Sequence, residues 1–141
     1  MKIIIGSDHA GVELKQHIIS TFSDQHEFVN VGTNTIDSVD YPDIAHKAVT
    51  VFKEDNCDKI ILICGSGNGV QMSANKHKDI RCALCWNKEI AELARLHNNA
   101  NALALPARFI NKVDAVNVVD VFLKTSFEGG RHKQRMEKID V

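Results

Sequence analysis

Five short apolar runs punctuate the chain, and between them the apolar residues change period. Ile3–Ile5, Glu27–Val31, Ile60–Ile63, Ile80–Leu84 and Ala102–Leu105 read as strands. Ile60 to Ile63 is continuous rather than alternating, which suits a strand buried on both faces of a parallel sheet. Val12, Leu14, His17, Ile18 and Phe22 recur at helical spacing and predict a helix over residues 11–22. Ile44, Ala45, Ala48, Val49 and Phe52 predict a second, entered through Asp40-Tyr41-Pro42 with proline near the first helical position. Val70, Met72 and Ala74 fall in a short helix over 69–76, and residues 87–96 form another. Val116, Val119 and Leu123 mark the face of a helix over 113–123, and Glu128-Gly-Gly130 then breaks the chain before a charged tail, Arg131 to Val141. Strands alternating with helices at this spacing predict an α/β fold. The expected architecture is a single domain over 1–141, a Rossmann-like three-layer α/β/α sandwich on a doubly wound five-stranded parallel sheet.

The central run ends in Cys64-Gly-Ser-Gly-Asn-Gly69. A glycine-rich turn between a strand and a helix lets backbone N–H groups converge beside the positive end of the helix, which suits a phosphate or a developing oxyanion. A thiol at that place is favoured as thiolate. Three familiar loops do not fit. A G-x-G-x-x-G fingerprint needs glycine where Val70 stands, and no Gly-Lys-Ser/Thr follows for a Walker loop. A cysteine phosphatase would need arginine at position 70. The plain alternative is a tight turn with an inert buried cysteine.

Composition narrows the classes. A chain of 141 residues with 44% hydrophobic and 25% charged residues fits one compact soluble domain, and a formal net charge of -1 leaves no basic footprint for nucleic acid. No apolar run approaches a membrane span, and the start, Met1 to Asp8, is too short an apolar run for a signal peptide. Cys57, Cys64, Cys82 and Cys85 without secretory context imply reduced thiols, hence a cytoplasmic location. Cys82-Ala-Leu-Cys85 has C-x-x-C spacing but no second pair, and its metal or redox reading is weak.

In such sheets ligands bind beyond the carboxyl ends of the strands. Asp8, His9, Tyr41, Cys64 with its glycines, and Arg108 gather there, whereas His97-Asn98-Asn99 precedes the fifth strand and begins at the opposite edge. Singly, each has a dull role: His9 could cap a helix, His97 could close one, and Arg108 could be a surface charge. Arg131 and Arg135, spaced i,i+4, would share a face of a helical tail, either solvated or serving as a phosphate clamp.

Six segments in this order carry a more specific signal: Gly6-Ser-Asp8-His9-Ala-Gly11, Asp40-Tyr41-Pro42, Cys64-Gly-Ser-Gly-Asn-Gly69, Ala74-Asn-Lys76, His97-Asn98-Asn-Ala-Asn101 and Glu128-Gly-Gly-Arg131-His-Lys-Gln-Arg135. Over nearly its whole length the chain resembles the ribose 5-phosphate isomerases of type B and their galactose 6-phosphate and allose 6-phosphate isomerase relatives. The resemblance implies interconversion of an aldose phosphate and a ketose phosphate through an enediol, without metal or nucleotide cofactor. It implies Cys64 as the base between C1 and C2, with Ser66 beside it as proton shuttle. The N–H groups of residues 65 to 69, with Gly65, Gly67, Asn68 and Gly69 among them, become the enediolate hole. By the same resemblance His97 and Asp8 open the furanose ring. His9, Arg108, Arg131 and Arg135 hold the phosphate, and Tyr41 and Asn98 line the sugar. The family has a version with cysteine at the strand end and one with glycine there and glutamate after the last loop glycine. Cys64 and Val70 mark the thiol version.

The resemblance further implies a homodimer with shared sites, a tetramer remaining open, in which the tail of residues 128–141 is an interface segment. The expected substrate is ribose 5-phosphate, with allose 6-phosphate and galactose 6-phosphate as alternatives. A non-catalytic phosphate- or nucleotide-binding module would use the glycine loop and the arginines, but it has no use for Cys64, Asp8 and His97 together. A subunit that has lost activity is disfavoured because no expected catalytic position is missing.

Overall fold

The computed structural model describes all 141 residues. In chain order the elements are β1 (Lys2–Ser7), α1 (Val12–Phe22), β2 (Glu27–Asn30), α2 (Tyr41–Glu54), β3 (Lys59–Cys64), α3 (Asn68–Ala74), β4 (Cys82–Leu84), α4 (Lys88–Asn98), β5 (Ala102–Pro106), α5 (Lys112–Lys124) and α6 (Arg131–Met136). The five strands form one parallel sheet in the order β2-β1-β3-β5-β4. The predicted fold class is the one observed. The strand order reverses direction between β1 and β3, so a crevice opens beyond their carboxyl ends. Ser7 is level with Ile63 there, which sets Asp8 beside Cys64.

Alternation along each strand divides the interior into two cores. Ile3, Ile5, Ile61, Ile63, Leu103 and Leu105 face the side covered by α1, α4 and α5. Ile4, Ile60, Leu62, Cys64, Ala102 and Ala104 face α2 and α3. On β5 the leucines thus point one way and the alanines the other. The small side chains leave room for short α3 to lie close against the sheet.

The expected boundaries move where side chains intervene. Strand β4 begins at Cys82 rather than Ile80, because the Arg81 N–H is taken by Asn101 Oδ1 at 2.8 Å and the Ile80 N–H by the His77 carbonyl at 3.2 Å. Helix α1 starts at Val12, after a separate 3-10 turn over His9–Gly11 in which Asp8 Oδ1 accepts the Ala10 N–H at 2.9 Å. Helix α4 runs on through His97 and Asn98 to Asn99, whose φ of 46° closes it in a left-handed cap. The charged tail forms helix α6.

One polar residue is buried where the periodicity had none. Lys15 is fully buried, while His17 on the expected face is half-buried. The Lys15 ammonium donates to Asn30 Oδ1 at 3.0 Å, to Asn34 Oδ1 at 2.9 Å and to the Thr33 carbonyl. Three acceptors meet its three donors, but none carries charge, and burial lowers its pKa to about 8.

Candidate active site at the carboxyl edge

Cys64 ends β3 with its side chain 4% exposed and turned toward the α2–α3 side. The loop that follows is tight because Gly67 adopts φ +75°, and this conformation aims the Gly67 N–H at the Cys64 sulfur, 3.2 Å away. A donor so placed stabilises negative charge on sulfur. A Cβ on Gly67 would run into Leu84 and lie 3.2 Å from the Leu105 carbonyl carbon, so the loop is pinned against the sheet. Ser66 is exposed, and its Oγ accepts the Asn68 N–H at 3.3 Å. Asn68 opens α3, and Val70 is fully buried beneath it.

Neighbouring elements close around this turn. The Asp8 N–H donates to the Ile63 carbonyl at 3.1 Å, and the Asp8 side chain is buried beside the turn it caps. Ala107 and Arg108 donate backbone N–H groups to the Cys64 and Gly65 carbonyls at 2.9 and 3.0 Å. The Arg108 guanidinium lies over Gly65, where a Cβ would be 3.1 Å from Nη1. The Tyr41 ring covers Gly69 so closely that a Cβ there would be 2.5 Å from the ring edge. His9 Nδ1 accepts the Val39 N–H at 3.4 Å, which draws the β2–α2 loop toward the 3-10 turn. Asp8, His9, Tyr41, Cys64, Gly65, Ser66, Gly67, Asn68, Gly69 and Arg108 therefore form one group.

His97, Asn98, Arg131 and Arg135 form another. Helix α4 returns from the end of β4 to the start of β5, and the Asn101 carbonyl accepts the Ile60 N–H at the amino end of β3. Pro106, level with Cys64, stands four residues farther along β5 than Ala102, roughly 13 Å at strand rise. Within one chain these four residues do not join the loop. Helix α6 packs on α4, and the Glu128 N–H donates to the Leu96 carbonyl at 3.1 Å. Arg131 and Arg135 are exposed on α6, one turn apart, and neither is in an ion pair. Asn98 lines a cavity of about 280 Å³ with Asn75, Arg81 and Asp140, away from Cys64.

Sequence reasoning passed over two members of this second group. Glu128 Oε2 lies 3.8 Å from His97 Nε2 and 3.6 Å from His132 Nε2, and the two imidazoles stack 4.1 Å apart. Burial and the adjoining His97 push His132 below its ordinary pKa. The i,i+4 spacing of Glu128 and His132 was visible, but nothing in the sequence tied them to His97. Cys82 and Cys85 do not form a pair in the fold, since Cys82 packs in the α2–α3 core and Cys85 in the core on the other face of the sheet. Both thiols are buried and free, and burial pushes Cys85 up to about 12 and Cys82 higher still.

The fold has close counterparts. The chain is 37% identical over 139 residues to ribose-5-phosphate isomerase B of Escherichia coli, covering 98% of this chain and 93% of that protein. The structure of ribose-5-phosphate isomerase B from Clostridium thermocellum superposes with a TM-score of 0.96 at 44% identity, covering 99% of this chain and 95% of that one. A Mycoplasma genitalium ribose-5-phosphate isomerase B, solved with bound ribulose-5-phosphate, superposes at a TM-score of 0.92 and 45% identity, covering 98% and 93%. The family model for ribose/galactose isomerases matches residues 3–139. With the Cys64 turn at the switch between β1 and β3 and the motifs of that family along its whole length, the chain belongs to the ribose/galactose isomerase family.

Proposed function

We propose that the chain is an aldose–ketose isomerase that interconverts ribose 5-phosphate and ribulose 5-phosphate. The observation that carries this is the Gly67 N–H held on the Cys64 sulfur in the tight glycine loop, in a chain similar to an isomerase solved with ribulose-5-phosphate bound. An α-hydroxy carbonyl C–H is a weak acid. A base must stand within reach of it while fixed donors stabilise the oxygen that becomes negative.

In the direction from aldose to ketose, Cys64 as thiolate takes the proton from C2, and the C2–H pair becomes the C1–C2 double bond of an enediolate. The loop N–H groups hold the oxygen charge. Ser66 passes a proton from the C2 hydroxyl to O1, and Cys64 returns its proton to C1, so atoms and charge balance. His97 and Asp8 open the furanose ring before this step. His9, Arg108, Arg131 and Arg135 hold the phosphate, whose binding energy orients the reacting carbons, and Tyr41 and Asn98 line the sugar. No cofactor or metal takes part. The reaction belongs to the non-oxidative pentose phosphate branch and takes place in the cytoplasm.

Two groups at opposite sheet edges become one site when two copies pair, so we take the working unit as a homodimer. One protomer supplies the loop, and its partner supplies His97, Asn98, Arg131 and Arg135. Residues 128–141 then form interface and phosphate clamp together. The exposure of both arginines without ion-pair partners supports this arrangement.

The test is turnover of ribose 5-phosphate, allose 6-phosphate and galactose 6-phosphate side by side in EDTA. Ribose 5-phosphate should be the preferred substrate. Preference for a six-carbon sugar would reassign the substrate, absence of turnover on all three would reject the isomerase, and loss of activity to the chelator would reject the metal-free mechanism.

A further inference from the structure

Away from the glycine loop, one other group of side chains gathers donor atoms of the kind that hold metal. His97 in the last turn of α4, Glu128 in the loop after α5 and His132 in α6 each place one ligand atom within 4.8 Å of the others. Both histidine Nε2 atoms approach the same carboxylate oxygen, Glu128 Oε2, at 3.8 and 3.6 Å. In a tetrahedral site with nitrogen and oxygen ligands at about 2.0–2.2 Å, donors stand about 3.3–3.5 Å apart. The two nitrogen–oxygen spacings need to close by only a few tenths of an ångström, while the two nitrogens, within 4.8 Å of each other, come together only if one ring turns.

The backbone holds these groups together without an ion. The Glu128 N–H bonds to the Leu96 carbonyl, one residue before His97, and the His132 N–H bonds to the Gly129 carbonyl at 3.1 Å. His132 is buried and fixed. The rings lie within 9° of parallel, so both lone pairs cannot meet one ion as they stand. His97 is the member that turns: its side chain sits at a helix end and is 39% exposed in the single chain, and in the homodimer it would turn by leaving the partner's loop.

We propose that His97, Glu128 and His132 form a site for a divalent transition metal of the zinc class, with His97 swinging onto the ion. Two imidazoles and one carboxylate suit zinc, whereas magnesium and calcium prefer oxygen ligands alone. A fourth position is open to water. Arg131 and Arg135 on the same helix oppose a dication, so binding is reversible rather than structural. An ion held here withdraws His97 from ring opening and inhibits the enzyme. That consequence rests on the isomerase function proposed above, while the binding itself does not.

The two are measured separately. Zinc is titrated into the full-length protein against a competing chromophoric chelator. One ion should bind per chain, and Glu128→Gln and His132→Asn should each weaken it at least about tenfold, the scale for disturbing even an outer-shell partner. His77→Gln should change nothing. It removes the other close histidine pair, in which His46 Nδ1 and His77 Nε2 are 2.7 Å apart. Ribose 5-phosphate turnover should fall over the same zinc range and recover with EDTA. Absence of saturable binding, or binding indifferent to both variants, overturns the site. Binding with unaltered turnover in an active enzyme overturns the inhibitory role. Because Glu128 is exposed and glutamine keeps its size, Glu128→Gln carries the test if the buried His132 variant fails to fold.

Discussion

Gly67 donates its backbone N–H to the sulfur of Cys64 across 3.2 Å, and it can do so because its φ of +75° turns the chain back over the end of β3. The same turn lays Gly67 against Leu84 and the Leu105 carbonyl, so the position of the thiol's partner is set by packing as well as by backbone preference. Gly67→Ala should therefore lower stability by about 2–4 kcal/mol, combining the left-handed cost with overpacking. Gly129→Ala has a similar φ of +73° but open space around it, and should cost only about 1–2 kcal/mol. Urea unfolding of the two variants compares them directly; equal losses would show that the contact with β4 and β5 is immaterial.

Cys64→Ala should leave the fold intact, since a small side chain fits the turn, and should abolish exchange of the C1 and C2 protons. On the proposed mechanism, loss of the general base lowers kcat by about 10²–10⁴-fold, while substrate affinity survives because other residues hold the phosphate. Wild-type enzyme in heavy water should place deuterium in product or recovered substrate. Full activity of the alanine variant would remove Cys64 from the mechanism.

Arg135→Ala should act mainly on KM. Loss of one charged hydrogen bond to phosphate removes about 1.5–3 kcal/mol from kcat/KM. Unchanged kinetics on the phosphorylated sugar would take Arg135 out of the clamp.

The proposed sharing of sites between two copies makes a separate forecast. Cys64→Ala and His97→Asn homodimers should each be inactive. Mixed and reassorted, they should regain about a quarter of wild-type activity, because half of the dimers are mixed and each of these has one intact site. Were both groups to serve the same chain's site, mixing would restore nothing.

Lys15 gives a pH signature in stability. Its folded pKa of about 8 lies below the ordinary lysine value because burial disfavours the charged form. Between about 8 and 10.5 the unfolded chain holds the proton and the folded chain does not, so this group makes stability rise with pH. Its contribution is full above 10.5 and is lost as pH falls through about 8. Urea midpoints at pH 7, 9 and 10 should therefore climb more steeply for wild type than for Lys15→Met. Parallel slopes would place the ammonium in water.

The apolar run Ile60–Ile63, the glycines after Cys64 and the helical faces of α2 and α5 determined the fold class and the tight glycine turn by themselves. Each depends on periodicity or backbone freedom within a dozen residues. Local pattern also put Arg131 and Arg135 on one face of a helix, as α6 confirms. The insertion of β5 between β3 and β4 was decided only by tertiary packing, because strand order depends on which helices cover which face. The same holds for Lys15, whose burial is repaid by Asn30 at the end of β2 and by Thr33 and Asn34 in the loop after it, and no helical period records such distant acceptors. His97, Glu128 and His132 met for a similar reason. The packing of α6 on α4 folds residue 128 back to residue 96, while the span of β5 keeps His97 away from Cys64 in its own chain.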